Sequence, residues 1–254
     1  SPILIGCGAL LVSALGFSTL TFVDCRAMPD ALNVSGKFVV GSTLRHVLSM
    51  TAAGTVGLVA VFLVDVVNLF YISLLGHQEM AAAVGYAGTL LFFILSLSIG
   101  LSIAVGAMTS QALGRGDRPH ARELAGASLV MMTATMVLAA LLLFPFLPYL
   151  LNLLGATGAT AELALRFSQI VLPSAPLLGL GICLSALLRS LGDARRAMFV
   201  TLGAGAATAA LDPLLIFGFG WGLDGAAIAT CLARLVMVGI GLHGVVRVHR
   251  LYAW

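Results

Sequence analysis

The chain has 254 residues, of which 60% are hydrophobic and 9% charged. Soluble domains average about 45–50% apolar and about 25% charged residues, so this composition excludes an ordinary soluble domain and favours a protein solvated by lipid. The formal net charge of +3 is small for a nucleic-acid-binding protein, so no nucleic acid is expected as a partner. The four cysteines form no CxxC pair and no histidine lies at metal-ligand spacing from them, which predicts neither a metal site nor a disulfide framework.

The N-terminal region, residues 1–36, is predicted to be a leader that precedes the main helix bundle. Residues 1–23 are mostly apolar, but no basic residue precedes Ile3, so they do not resemble a secretory signal peptide. The sequence does not begin with methionine, and Met28 would serve as a start. Residues 1–27 are therefore either upstream readthrough or a real extra helix. An intact mass of the native product that includes these residues would exclude readthrough.

Six later segments are long and apolar enough to cross a bilayer, which takes about 20 mostly apolar residues. Short connectors rich in turn residues separate them, such as residues 114–119 and 191–193. We therefore predict an all-α integral membrane protein in which residues 37–254 form a six-helix transmembrane bundle. The predicted helices are residues 46–74, 82–111, 124–147, 163–189, 197–220 and 224–246.

Basic residues alternate between the two ends of these six helices. The loops after the first, third and fifth helices carry no lysine or arginine, except Arg166 near the start of the fourth helix. Cytoplasmic loops carry an excess of basic residues, so we predict that both ends of the six-helix unit are cytoplasmic. The basic residues on that side are Lys37, Arg45, Arg115, Arg118, Arg122, Arg189, Arg195, Arg196, Arg247 and Arg250.

Two carboxylates lie well inside predicted spans, Asp65 in the middle of the first helix and Asp212 in the outer half of the fifth. Placing such a charge in a bilayer costs about 2.5–3.5 kcal/mol on insertion scales, so intramembrane acids are usually functional. A low dielectric favours the neutral form of a carboxyl group, which suits proton coupling, and carboxylate oxygens also suit Na⁺. The structural alternative for Asp65 is a static partner for another helix. For Asp212, Pro213 frees a backbone carbonyl that either serves a cation or shapes a kink.

Two prolines and an arginine inside predicted spans also bear on function. Pro173 and Pro176 lie in the fourth helix and predict a bend there. Bent helices line the pathway in many transporters, and the alternative is a fixed kink that only improves packing. Arg234 lies about two turns into the sixth helix, where we expect it to reach an interface or to pair with a carboxylate.

Several short motifs, in order and in register from Lys37 to Trp254, resemble the multidrug and toxic compound extrusion (MATE) transporters. The resemblance covers the first helix and its loop, the second-to-third loop, the end of the fourth helix, the fifth helix and the start of the sixth. The motifs are residues 63–65, 74–76, 81–85, 110–117, 121–122, 187–193, 211–213 and 225–230.

The resemblance implies a secondary transporter that expels cationic or other amphipathic compounds in exchange for H⁺ or Na⁺, which is a coupling ion and not a cofactor. It implies two six-helix lobes in a bacterial-type inner (plasma) membrane, with this chain as the N-terminal lobe. Asp65 and Asp212 match the acids of that lobe's cation site, and Thr230 matches a nearby hydroxyl. Thr208 stands where some members have asparagine, which weakens a Na⁺ assignment.

The remaining partner would be a C-terminal six-helix lobe or a second copy of this chain. Two other functions stay open: a lipid-linked oligosaccharide flippase of the same superfamily and a non-transporting membrane subunit. A flippase is expected to carry more basic residues in its spans than Arg166 and Arg234. A non-transporting membrane subunit has no need of two acids in the middle of the membrane. An enzyme is not expected, because no nucleophile–base constellation or metal motif is visible.

Overall fold

Helices account for almost all of the residues that the structure describes. A computed structural model of the chain describes residues 43–73 and 78–248, apart from some side chains, among them that of Asp65. The predicted leader, residues 1–36, lies outside these ranges, as do residues 249–254. The helices are α1 (Thr43–Ser73), α2 (Gln78–Gly114), α3 (Arg118–Leu153), α4 (Gly158–Val171), α5 (Ala175–Ser190), α6 (Ala194–Pro213) and α7 (Gly222–His243).

Three short turns of other helical types extend or join these helices. A 3₁₀ turn, Leu172–Ser174, connects α4 to α5, so Gly158–Ser190 forms a single span. A π-helical turn, Leu214–Gly218, follows α6, and another, Gly244–Val248, follows α7. The described chain therefore has six helices long and apolar enough to cross a membrane, which confirms the predicted six-helix architecture.

The outward-facing side chains of the bundle are apolar, the reverse of a soluble protein. Phe62 on α1, Phe93 on α2 and Leu141 on α3 each expose more than half of their surface. Such surfaces are solvated by lipid tails in a membrane protein, where helix packing relies on close contact instead of the hydrophobic effect. Helix α3 also continues through Pro145 and Pro148, several residues beyond its predicted end, since membrane helices tolerate proline more readily than soluble ones.

The two loops that carry the central basic clusters share one local structure. Gly116 and Gly192 have φ values of 76° and 79°, the left-handed conformation that ends a helix. The aspartate that follows each glycine caps the next helix: Asp117 accepts from the His120 N–H at 3.1 Å, and Asp193 from the Arg196 N–H at 3.2 Å. These stops and caps keep both loops to a few residues, so consecutive helices pack as antiparallel neighbours.

The broken α4–α5 span lies at the centre of the bundle. Helix α5 contacts α2, α3, α6 and α7, whereas α1 packs chiefly on α6. Small residues allow this close packing: Gly179 lies against Met132 and Met136 of α3, and Gly181 against Met237 of α7. Helix α7 contacts α4, α5 and α6, and so packs against both the broken span and the helix that carries Asp212.

Candidate cation-coupling site

Asp212 occupies the last turn of α6, immediately before Pro213 and the π-helical turn. Its side chain is fully buried, at 0% exposure. Neither carboxylate oxygen has a hydrogen-bond partner among the described residues. A buried carboxylate without donors is strongly disfavoured as a bare anion, so this group is suited to bind a proton or a metal cation.

The backbone around Asp212 is irregular because of the proline that follows it. Pro213 has no N–H to donate to the carbonyl of Ala209, four residues earlier. The chain then widens into the π-helical turn, where the Phe219 N–H donates to the Leu214 carbonyl at 3.1 Å. Wide turns of this type often occur at functional sites in helices, since they leave backbone groups available.

Thr208 and Thr230, the two hydroxyls assigned to this site from the sequence, bond to their own helices. Thr208 Oγ1 donates to the Ala204 carbonyl at 3.1 Å, and Thr230 Oγ1 donates to the Ala226 carbonyl at 2.9 Å. Thr208 lies one turn before Asp212 and so shares its face of α6. A hydroxyl that donates to the backbone retains lone pairs that can ligate a cation, so the role predicted for both residues stays a prediction.

Asp65, the other predicted coupling acid, lies within α1, but its side chain is outside the described residues. The neighbouring residues show how α1 meets α6. An added Cβ at Gly205 would lie 3.0 Å from Val64 Cγ2, and the rings of Tyr71 and Phe217 meet edge to face with centroids 6.3 Å apart. The segment of α1 that contains Asp65 therefore runs alongside the segment that contains Asp212.

Asn68 is a polar residue of this region that the sequence reasoning missed. In α1, Asn68 lies between Val64 and Tyr71, which contact Gly205 of α6 and Phe217 of the π-helical turn that follows it. Asp212 lies between those two residues along the chain, so Asn68 and Asp212 occupy a similar position along the bundle axis. Asn68 is half-buried, and its Oδ1 atom has no hydrogen-bond partner among the described residues. The sequence feature that could have identified Asn68 is an amide within an apolar run, three residues after Asp65 and hence on the same helix face.

Helix α7 packs closely, at Gly225, against the π-helical turn that follows Asp212. An added Cβ at Gly225 would lie 2.8 Å from the carbonyl carbon and oxygen of Leu215 and 3.2 Å from the amide nitrogen of Ile216. The backbones of α7 and the π-helical turn are therefore in direct contact. Small residues such as Gly225 allow membrane helices to approach closely, as they do at this position.

The predicted helix-bending prolines lie in a different span. Pro173 belongs to the 3₁₀ turn, and Pro176 to the first turn of α5. The structure thus divides the fourth span at these prolines, while their role in transport stays a prediction. Near the start of the same span, Arg166 pairs with Asp224 of α7, with 2.5 Å between Nη2 and Oδ2.

Comparison with known proteins identifies relatives of the same kind. The MatE family model matches residues 53–214. The FAD transporter of Shewanella oneidensis is 31% identical over 212 residues, which are 82% of this chain and 46% of the relative. The multidrug export protein MepA of Staphylococcus aureus is 28% identical over 172 residues, 67% of this chain and 38% of MepA.

Solved structures agree in fold. An outward-facing multidrug resistance MATE transporter of the MOP superfamily has a TM-score of 0.77 and 26% identity, covering 83% of this chain and 46% of that protein. A MOP superfamily transporter of Pyrococcus furiosus has a TM-score of 0.76 and 25% identity, covering 81% and 45%. The chain thus spans about half the length of the relatives it matches. From the family match and this shared architecture, the chain belongs to the MatE (MATE) family of multi-pass membrane transporters.

Proposed function

We propose that this chain is the N-terminal lobe of a secondary active transporter that exchanges H⁺ or Na⁺ for an amphipathic drug or other xenobiotic. The observation that carries the proposal is Asp212, a fully buried carboxylate on a membrane-spanning helix with no donor to either oxygen among the described residues. An acid in such a position is stabilised when it binds a proton or a cation. The family relationship supports transport as the process to which that binding is linked.

Coupling requires that the cation and the substrate each bind the two conformations of the lobe with different free energies. In the proposed cycle, binding of the cation neutralises Asp212 and favours repacking of α1, α6 and α7 around it. Na⁺ would take further oxygens from Asp65, Asn68, Thr208 and Thr230, since hard cations prefer oxygen ligands. A proton would need the carboxylate alone.

The test is transport by the gene product of native length in proteoliposomes, with ethidium as a fluorescent cationic probe. An imposed H⁺ or Na⁺ gradient is expected to drive ethidium against its own gradient, and an ionophore that collapses the driving gradient is expected to stop it. The ion whose gradient suffices is the coupling ion. Ethidium movement that is the same with and without the H⁺ and Na⁺ gradients would contradict cation coupling.

An anionic dinucleotide is a second candidate substrate, because the Shewanella relative is described as an FAD transporter. The same proteoliposomes distinguish the two classes. FAD that is itself accumulated, or that competes with ethidium at micromolar concentration, would assign the chain to the dinucleotide class. Failure of FAD in both assays would exclude it.

We further propose that the pathway needs a second six-helix lobe, supplied by a C-terminal continuation or by a second copy of this chain. The chain covers 46% of the FAD transporter and 38% of MepA, so both relatives have room for such a lobe. The mass of the transport-competent species in the same experiment distinguishes the two sources. A transporting monomer with six helices would contradict the need for a second lobe.

The proposed location is a bacterial-type inner (plasma) membrane with both ends of the six-helix unit in the cytoplasm, following the basic clusters at Arg115–Arg122 and Arg189–Arg196. Cysteine introduced for Glu162, at the start of α4, is expected to react with an impermeant maleimide added to intact cells. Cysteine introduced for Arg115 is expected to react only after the cells are opened. The reversed pattern would invert the topology.

A further inference from the structure

The break in the fourth span leaves a backbone carbonyl without its helical donor. In a continuous helix, the Val171 carbonyl would accept from the N–H of Ala175, four residues later. The Ala175 N–H instead donates to Leu172, three residues earlier, in the 3₁₀ turn. Since Pro173 and Pro176 have no N–H, the backbone itself offers few substitutes at this point.

Arg234 of α7 donates to this carbonyl from a neighbouring helix. Its Nη1 donates to the Val171 carbonyl at 3.1 Å and to Ser174 Oγ at 2.5 Å. Ser174 Oγ also donates to the Val171 carbonyl, at 2.7 Å. One turn earlier on α7, Cys231 Sγ makes a longer contact of 3.5 Å with the Ile170 carbonyl. Two consecutive carbonyls at the end of α4 therefore have partners on α7.

These contacts correct the expectation for Arg234. The side chain was expected to reach an interface or to pair with a carboxylate, whereas its described partners are a carbonyl and a hydroxyl inside the bundle. The C-terminus of a helix carries partial negative charge, so the end of α4 is a favourable location for a guanidinium. Charge and hydrogen-bonding groups together explain how a cation is accommodated within a membrane span.

Helix α7 also connects this break to the candidate cation site. Gly225 on the same helix lies against the π-helical turn that follows Asp212, and Thr230 lies one turn before Arg234 on the same face. Helix α7 is continuous from Gly222 to His243. A shift of the π-helical turn would therefore displace a regular helix that is hydrogen-bonded to the break.

We propose that Arg234 is a positioning residue that closes the break between α4 and α5, in the sense that its hydrogen bonds hold the two helices in a fixed arrangement there. Through α7, it links the break to rearrangement at Asp212. The evidence for closure of the break is the hydrogen bonds alone. The link to Asp212 deepens the proposed cation-coupled transport and rests on it. The two parts therefore need separate readouts.

The structural readout is the distance between spin labels at the two ends of the broken span, on cysteines introduced for Glu162 and Arg189. The native cysteines are replaced beforehand, Cys231 by serine so that a donor to Ile170 remains. The native-length protein with Arg234 is expected to give a narrow distance distribution that shifts when the coupling cation is added. Arg234→Met is expected to broaden the distribution and to remove the shift, because the Val171 carbonyl loses its hydrogen bond to α7 and keeps the one from Ser174 of its own span.

Conservative and paired variants separate a specific role from general damage. Arg234→Lys retains a donor and is expected to keep the narrow distribution with transport within about threefold of the parent, since lysine lacks only the planar fork. Ser174→Ala is expected to broaden the distribution less than Arg234→Met. The double variant is expected to broaden the distribution more than Arg234→Met, because it also removes the Ser174 hydroxyl that donates to the Val171 carbonyl. Arg166→Met, which removes the ion pair between α4 and Asp224 of α7 at an exposed position, is the matched control and is expected to leave the distances unchanged.

The transport readout is expected to show a fall of about tenfold in maximal rate for Arg234→Met with little change in KM, as for a defect in a conformational step. Unchanged distances and unchanged transport in Arg234→Met would overturn the proposal while leaving the proposed function intact. A third outcome is that Arg234→Met broadens the distances but the parent protein, with Arg234 present, shows no gradient-driven transport. That outcome would support closure of the break and refute the coupling function. If Arg234→Lys and Arg166→Met each broadened the distances as much as Arg234→Met, Arg234 would contribute only general stabilisation and the proposal would also be overturned.

Discussion

Replacing Asp212 by asparagine is expected to abolish most gradient-driven efflux without lowering the thermal stability of the protein. Asparagine has nearly the same shape as aspartate, but it neither takes up a proton nor neutralises a bound cation. Coupling free energies are typically 1–3 kcal/mol, a factor of about 5 to 150 in the affinity for one ligand when the other binds. Loss of this coupling is expected to remove most of the gradient-driven transport. Stability is expected to hold or rise, because the substitution removes a buried acid whose oxygens have no donor among the described residues.

The two readouts are ethidium transport in proteoliposomes and the thermal unfolding midpoint of the purified protein. Glu162→Gln is the matched control: it also neutralises an acid by one amide, but at an exposed position at the start of α4. This control is expected to change neither readout. A fall of both transport and thermal stability in Asp212→Asn would indicate a structural carboxylate, and unchanged transport would refute the coupling role.

Gly225→Ala is expected to destabilise the protein by disrupting the contact between α7 and the π-helical turn after Asp212. The added Cβ would lie 2.8 Å from the Leu215 carbonyl carbon and oxygen, and these backbone atoms have no rotamer by which to move away. Overpacking a well-filled interior typically costs about 1–3 kcal/mol. Because the strain falls on the π-helical turn that follows Asp212, transport is expected to fall together with stability.

Gly239→Ala on the same helix provides the control for this prediction. Gly239 is exposed, and an added Cβ would meet no atom within 4 Å. Alanine is favoured over glycine in a helix interior by up to about 1 kcal/mol, so this variant is expected to be neutral or slightly stabilised. The measurement is the unfolding midpoint of each variant in detergent. Equal midpoints for the two variants would show that α7 is free to move away from the π-helical turn.

The architecture follows from sequence because it depends on properties that single residues carry. Long apolar runs cross a bilayer whatever they pack against, and glycine with aspartate, as at 116–117 and 192–193, ends one helix and caps the next. The six spans were therefore predictable, with ends within a few residues. Pro173 and Pro176 marked the break in the fourth span for the same reason, since a missing N–H is a local property. Asp212 was identifiable because a carboxylate in an apolar run is costly anywhere in a membrane.

What sequence left open depends on which groups meet across helices. Arg234 was expected to have a carboxylate or an interface as its partner, and the fold instead brings it to the Val171 carbonyl, which the 3₁₀ turn deprives of its α-helical donor, the Ala175 N–H. Gly225 is important because a side chain there would collide with the backbone of Leu215, and no side-chain pattern encodes that contact. Asn68 became a candidate only when α1 was seen to run beside α6 at the depth of Asp212. Hydropathy determines which segments enter the membrane, whereas packing between helices decides which polar groups share its interior.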